Sequence, residues 1–333
     1  VLATGAIWLG SSWLESASER LGVYYELPPV VQGGLIAAVG SSFPELASVV
    51  FAALADSFGL GVGAIVGSAI FNVLVIPALS SLAAPERMSA SRDIVFKEAQ
   101  FYMLSVAVVL ITFSLAVIYE GVPGSSLRGE VTPALAALPV CLYGLYLFIQ
   151  QQDTSDHDAP DPPSGMRIGA QWALLAASLA CIVLAVEAMV SGITFAARRF
   201  SPDLLWVWGM TVIAAGTSLP DALVSIRAAR EGRSTTSLAN VLGSNVFDLL
   251  VAVPAGILVA AAVGDVVVVD FVTAVPMLTA LTVATIVLFT LLRTDLHLTD
   301  LEAYVLLGAY AAFVTWLVLG IFGLSPIPVP TSA

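Results

Sequence analysis

Long apolar runs separated by short polar connections make up most of this 333-residue chain, and the runs are only weakly periodic. A run of about 20 apolar residues crosses a bilayer core as a helix, whereas a barrel strand needs only about 9–11 alternating residues. The runs predict ten membrane helices over 1–18, 28–55, 59–83, 97–119, 131–150, 168–196, 203–229, 235–263, 268–293 and 301–323. The expected fold class is therefore an all-α membrane protein. The longest polar stretch, Gln151 to Gly165, holds Asp153, Asp156, Asp158, Asp161 and Pro162-Pro163. It divides the helices five and five, giving a unit over 1–150, a short linker over 151–167 and a second unit over 168–333. The four Asp lack the spacing and glycine of a calcium loop. They read as a solvated acidic linker too short for a regulatory domain.

Composition excludes the soluble alternative. Hydrophobic residues are 59% of the chain and charged ones 11%, with mean hydropathy +0.97. An ordinary soluble domain is about 25% charged. Asp and Glu outnumber Lys and Arg 24 to 12 and no basic patch exists, which argues against nucleic acid. The basic residues sort by connection. Those after helices 1, 3, 5, 7 and 9 hold Arg20, Arg87, Arg92, Lys97, Arg167, Arg227, Arg230, Arg233 and Arg293, against Arg128, Arg198 and Arg199 in the others. The positive-inside rule puts the first set and the linker in the cytoplasm and both termini outside. Cys141 and Cys181 read as small hydrophobes, and neither His157 nor His297 is given a role.

The chain also repeats itself. A shift of 176 residues lays Gly33–Asn72 on Gly209–Asp248 without a gap. Gly40-Ser41-Ser42-Phe43-Pro44-Glu45 falls on Gly216-Thr217-Ser218-Leu219-Pro220-Asp221, and Gly67-Ser68-Ala69-Ile70-Phe71-Asn72 on Gly243-Ser244-Asn245-Val246-Phe247-Asp248. Chance in apolar sequence would match Leu, Ala and Val, not Gly, Pro, Ser and an acid at fixed offsets. Five helices per unit is an odd number, so the second copy enters from the opposite side as an inverted repeat. The connection at Asp56-Ser57 has no basic residue while its counterpart, Arg227 to Arg233, has three.

Glu45, Asp221 and Asp248 lie inside apolar spans, where a carboxylate costs several kcal/mol and is usually functional. No Lys or Arg lies in these helix centres to pair with them, so a bound cation is the natural counter-charge. Pro44 and Pro220 lack an N–H and disfavour helical geometry in the residue before them. With Gly40 and Gly216 they predict breaks in helices 2 and 7. Ser41 and Ser42, and equally Thr217 and Ser218, precede an acid by four and three residues, which puts hydroxyls on its face. Ser68 and Asn72 share a face, as do Ser244 and Asp248. Gly59, Gly63 and Gly67 form a small-residue ridge for close packing. The ligand inventory is all oxygen and suits hard cations such as Ca²⁺ and Na⁺ rather than zinc, copper or iron. Three acids can neutralise one Ca²⁺ and one further proton or Na⁺, the electrostatic basis of exchange. Glu187 is a further membrane acid outside the motifs and is left unassigned.

The paired motifs at equal spacing resemble the two alpha-repeats of the sodium/calcium exchangers of the cation/calcium antiporter superfamily, in the prokaryotic form without a regulatory domain. The resemblance implies ten helices in two inverted halves, with discontinuous helices 2 and 7 and the site among helices 2, 3, 7 and 8. It implies Ca²⁺ extrusion driven by inward Na⁺ across a prokaryotic cell membrane, by alternating access of helices 1 and 6 against the rest. The chain would act as a monomer with no partner beyond lipid and cations, no cofactor and no enzymatic activity. Carried over by motif, Glu45 and Asp221 would be central ligands and Asn72 and Asp248 would flank them. Ser41, Ser42, Ser68, Thr217, Ser218 and Ser244 would supply hydroxyls, and Ala38 and Ala214 backbone carbonyls. Many prokaryotic members carry Glu at both central positions, whereas the second here is Asp221. The Pro-Asp and Phe-Asp endings, with Gly-Ser-Ala in the first repeat, most resemble the potassium-dependent sodium/calcium exchangers, so K⁺ co-transport stays open.

The alternative within transport is a cation exchanger coupled to H⁺ or acting on another divalent ion. The Gly-Asn-…-Glu motif usual in proton/calcium exchangers is absent. An intramembrane aspartyl protease would need a Tyr-Asp and Gly-x-Gly-Asp pair, and neither surrounds Asp221 or Asp248. A charge-ring channel would assemble from several subunits, whereas this site is built within one chain.

Overall fold

A computed structural model describes residues 2–25, 38–90, 97–153, 167–200, 205–322 and 324. The predicted linker lies largely outside the described residues, as does the start of the second predicted helix. Helices follow the apolar runs closely: α1 (Leu2–Tyr24), α2 (Ala38–Leu54), α3 (Phe58–Leu74), α4 (Ile76–Ala83), α5 (Ala99–Tyr119), α6 (Pro133–Asp153) and α7 (Ile168–Phe200). The seventh predicted helix is built from α8 (Leu205–Trp208), a π-helical turn (Gly209–Ile213), α9 (Ala214–Thr217) and α10 (Leu219–Arg230). The eighth comprises α11 (Ser234–Phe247), a second π-helical turn (Asp248–Ala252) and α12 (Val253–Ala262). Then come α13 (Phe271–Asp295) and α14 (Asp300–Ile321). Among the described residues seven helical segments are long and apolar enough to cross a membrane, and the bent pair α9 and α10, with its π turn, makes an eighth.

Local signals set several ends. Asp270 caps α13 by accepting from the Val272 N–H at 2.9 Å, and Thr299 and Glu302 form a capping box on α14. Asp56 turns α2 into α3 with φ of +50°. At the end of α10, Arg233 and Arg227 hold the Glu231 carboxyl below the ordinary carboxylate range.

The two prolines behave differently. Pro220 stands in the first turn of α10, where a missing N–H costs nothing, and the helix bends by 51° at Ser218. The break expected at Pro44 is absent: α2 runs through it as one helix from Ala38 to Leu54. Pro44 sits in the second turn, so it withholds only the helical donor of the Gly40 carbonyl.

Depth follows burial. The α3–α4 span is 89% buried, whereas α6 and α14 are 17% and 22% buried and turn most of their surface outward. The main core joins α3, α5, α11, α12 and α13 through residues such as Ile65, Tyr102, Leu242, Ile257 and Leu281. A second cluster joins α1 and α7 through Ile7, Leu14, Ile182 and Val186. Of the glycine ridge, Gly67 is in close approach to a neighbouring element. A Cβ there would strike the Met210 backbone, while Gly59 faces open space. Reciprocally, a Cβ on Gly209 would strike the Leu60 carbonyl.

Contacts between connections fall into two groups. At one end, Trp172 Nε1 donates to Tyr25 Oη at 3.3 Å, and β1 (Met88–Ser89) pairs with β4 (His297–Leu298). At the other end, Arg198 donates to the Ala55 carbonyl at 3.0 Å and to Ser57 Oγ at 2.8 Å. There too β2 (Arg128–Glu130) pairs antiparallel with β3 (Val268–Asp270).

Candidate cation site

Four elements bring the repeated motifs together: α2, α3, the α9–α10 bend and α11 with its π turn. Glu45, Asp221 and Asp248 are each at most 1% exposed, as are Ser42, Ser68, Asn72, Thr217, Ser218 and Ser244, with Ser41 at 5%. The hydroxyls meet the acids across helices rather than along their own helix. Ser68 Oγ donates to Glu45 Oε1 at 3.5 Å, and its counterpart Ser244 Oγ donates to Asp221 Oδ1 at 3.1 Å. Ser218 Oγ donates to Ser68 at 2.6 Å, and Ser41 and Ser244 hydroxyls stand 3.3 Å apart. Thr217 also faces Glu45, and Ser41 faces Asp221.

Asp248 opens the π-helical turn, a local widening that often marks functional positions. Neither of its carboxylate oxygens has a hydrogen-bond partner, although Ser42 lies alongside. Glu45 Oε2, Asn72 Oδ1 and Ser42 Oγ are likewise buried without partners. Buried polar atoms are almost always satisfied, so five unsatisfied oxygens in one place call for a donor or a cation. The charges that act on these acids are one another's. Arg128 pairs with Asp270, and Arg227 and Arg233 with Glu231, all away from the site. Among the described residues no three acidic, imidazole or thiol side chains converge in metal-ligating geometry. A cation here would take a mixed set of carboxylate and neutral oxygens.

The two alanines were expected to offer backbone carbonyls. The Ala214 carbonyl accepts from the Ser218 N–H at 2.9 Å and from Thr217 Oγ1 at 3.3 Å. Ala38 begins α2, whose helix continues past it. The carbonyls that lose a helical donor are instead those of Gly40 and Gly216, four residues before each proline.

Asn245 is a site residue that the motif reading passed over. Asn72 Nδ2 donates to Asp221 Oδ2 at 3.2 Å and to Asn245 Oδ1 at 3.0 Å. Its signal was visible, since a polar Asn245 stands where the first copy has Ala69. A pocket lined by Trp8, Ser11, Ser12, Ser41, Pro220 and Val224 reaches the site at Ser41.

The profile of the sodium/calcium exchanger protein family matches residues 1–151 and 170–319. The chain belongs to this family of membrane exchangers. Sodium/calcium exchanger MaX1 of Methanosarcina acetivorans is 26% identical over 285 residues, covering 75% of this chain and 79% of that one. Human sodium/potassium/calcium exchanger 5 is 24% identical over 337 residues, covering 71% of this exchanger and 64% of the human chain. Among solved structures, the sodium-calcium exchanger NCX_Mj matches with a TM-score of 0.65 at 20% identity, covering 94% of this chain and 95% of that one. The H⁺/Ca²⁺ exchanger CAX matches with a TM-score of 0.73 at 16% identity, covering 95% and 80%. These two likenesses concern the fold.

Proposed function

We propose that this exchanger moves Ca²⁺ against Na⁺ by alternating access at a single occluded site. The observation that carries this reading is the set of partnerless oxygens on Glu45, Asn72, Asp248 and Ser42, buried together with, among the described residues, no basic side chain paired to them. Glu45 and Asp221 are the central ligands, with Asn72, Asp248 and the hydroxyls of Ser41, Ser42, Ser68, Thr217, Ser218 and Ser244 around them. Two kinds of cation compete for the same negative charge, and that competition couples their fluxes.

The architecture behind this is ten crossings in two inverted halves, 1–150 and 168–333, joined by the acidic linker. Its support is threefold. One family profile matches two separate stretches. The loop contacts sort by parity: Arg198 meets Ala55 and Ser57 at one end, Tyr25 meets Trp172 at the other. Each small sheet joins a strand that follows the third helix of one half to a strand that follows the fourth helix of the other. In this frame both termini lie outside the cell membrane and one chain suffices for transport. The Phe-Asp ending at Asp248 and the likeness to a sodium/potassium/calcium exchanger support K⁺ as a co-transported ion.

Vesicles loaded with Na⁺ test the reading. Ca²⁺ uptake should rise with the outward Na⁺ gradient, increase with K⁺ on the Ca²⁺ side and stay indifferent to an imposed pH gradient. Uptake that follows the pH gradient would assign the coupling to H⁺, and uptake independent of any gradient would end the antiport reading.

A further inference from the structure

Beyond the ion ligands, a directed chain of hydrogen bonds runs out of the site to α13. Thr285 Oγ1 donates to the Leu281 carbonyl at 2.8 Å and lies beside the Tyr102 hydroxyl. Tyr102 Oη accepts from Asn245 Nδ2 at 3.2 Å, and the same amide donates to the Ala69 carbonyl at 3.2 Å. With both N–H groups engaged, Asn245 can turn only its Oδ1 toward Asn72, which donates to it at 3.0 Å. Asn72 gives its second N–H to Asp221. Its Oδ1 is then left buried and without a partner. A carbonyl and a carboxylate can only accept, so acceptors at Leu281, Ala69 and Asp221 set the direction of every bond in the chain.

We infer that Tyr102 is a positioning residue for cation binding: through Asn245 it fixes the amide of Asn72 so that an oxygen, not an N–H₂ group, faces the ion. The inference rests on the reading above that the site holds Ca²⁺. Tyr102 and Thr285 are 0% and 1% exposed and belong to no repeated motif. Loss of the Tyr102 oxygen frees one Asn245 N–H. The Ala69 carbonyl is then the one anchor of that amide's N–H₂ group, and the orientation it passes to Asn72 is held less firmly.

The test uses the full chain in detergent, with Ca²⁺-dependent thermal stabilisation as the readout, alongside Na⁺-driven Ca²⁺ uptake in vesicles. Tyr102→Phe should raise the Ca²⁺ midpoint about tenfold, the size of one buried hydrogen bond to a polar group. The KM for Ca²⁺ uptake should rise with it while the maximal rate changes little. Thr285→Val should move the midpoint the same way, and Thr285→Ser should restore it. In an Asn72→Asp background, where both terminal atoms are oxygens, Tyr102→Phe should add almost nothing. An unchanged midpoint in Tyr102→Phe, or full additivity with Asn72→Asp, would overturn the positioning role. Ca²⁺ stabilisation without Na⁺-driven uptake would instead sink the antiport reading and leave the relay standing.

Discussion

Asp248→Asn isolates one charge more cleanly than any other change at the site. Both oxygens of Asp248 lack partners, so the amide breaks no protein hydrogen bond. Asp221 offers no such test, because Ser244 and Asn72 donate to it. Three carboxylates neutralise one Ca²⁺ and one monovalent ion; two neutralise the Ca²⁺ alone. After the substitution the monovalent co-ion becomes an uncompensated buried charge. A unit charge removed from about 4 Å away costs about 4 kcal/mol at an effective dielectric constant of about 20. That is close to a thousandfold in affinity. Vesicle uptake at varied K⁺ and Na⁺ reads this directly. Ca²⁺ exchange should persist, K⁺ stimulation should disappear, and the charge moved per cycle should change by one. K⁺ and Na⁺ half-saturation within threefold of the unaltered chain, with the same charge movement, would refute the charge count.

The remaining expectations follow from the same geometry. Glu45→Gln and Asp221→Asn should each abolish Ca²⁺ uptake while the protein still inserts and folds; retained exchange in both would remove these residues from the site. Gly67→Ala should destabilise the exchanger by about 1–3 kcal/mol through overpacking against Met210. Gly59→Ala, in open space, should leave the melting temperature unchanged or raise it. Ser12→Cys, in a chain without Cys141 and Cys181, should react with a water-soluble thiol reagent and then block transport, because Ser12 lines the pocket that reaches Ser41. Labelled protein that transports at the unlabelled rate would show that ions take another route.

Sequence reached the helices and most of the polar shell because both leave local marks. The run over 235–263 became α11, its π turn and α12, and Ser68 and Ser244 bond the acids of their own repeats. It did not reach features that packing decides. Pro44 and Pro220 stand before equivalent acids, yet one is carried within a helix and the other follows a bend. A proline specifies a missing donor; whether the chain kinks or breaks depends on what surrounds it. The π turn at Gly209–Ile213 lies where Gly209 presses on Leu60 and Met210 on Gly67, a contact made across the fold. Tyr102 carried no signal because its partner, Asn245, lies 143 positions away.

The differences between the two copies fall where function needs them. The frame they share is symmetric: Ser68 on Glu45 mirrors Ser244 on Asp221, the partners standing 23 positions apart in each. A fully symmetric site would present the same charge and the same donors to a cation from each half. Two substitutions break that balance. Asp248 stands where the first copy has Asn72, and Asn245 stands where it has Ala69. The first leaves an acid with free oxygens on one side and an amide on the other. The second bonds both the Asn72 side chain and the Ala69 carbonyl, tying that amide to the opposite half. One side of the site therefore offers an unpartnered charge, and the other an oriented dipole. A divalent ion gains most between two carboxylates, whereas a monovalent ion is satisfied by one carboxylate and a dipole. On the antiport reading proposed above, the duplicated frame supplies one shared site, and its two departures from symmetry make the two sides of that site unlike.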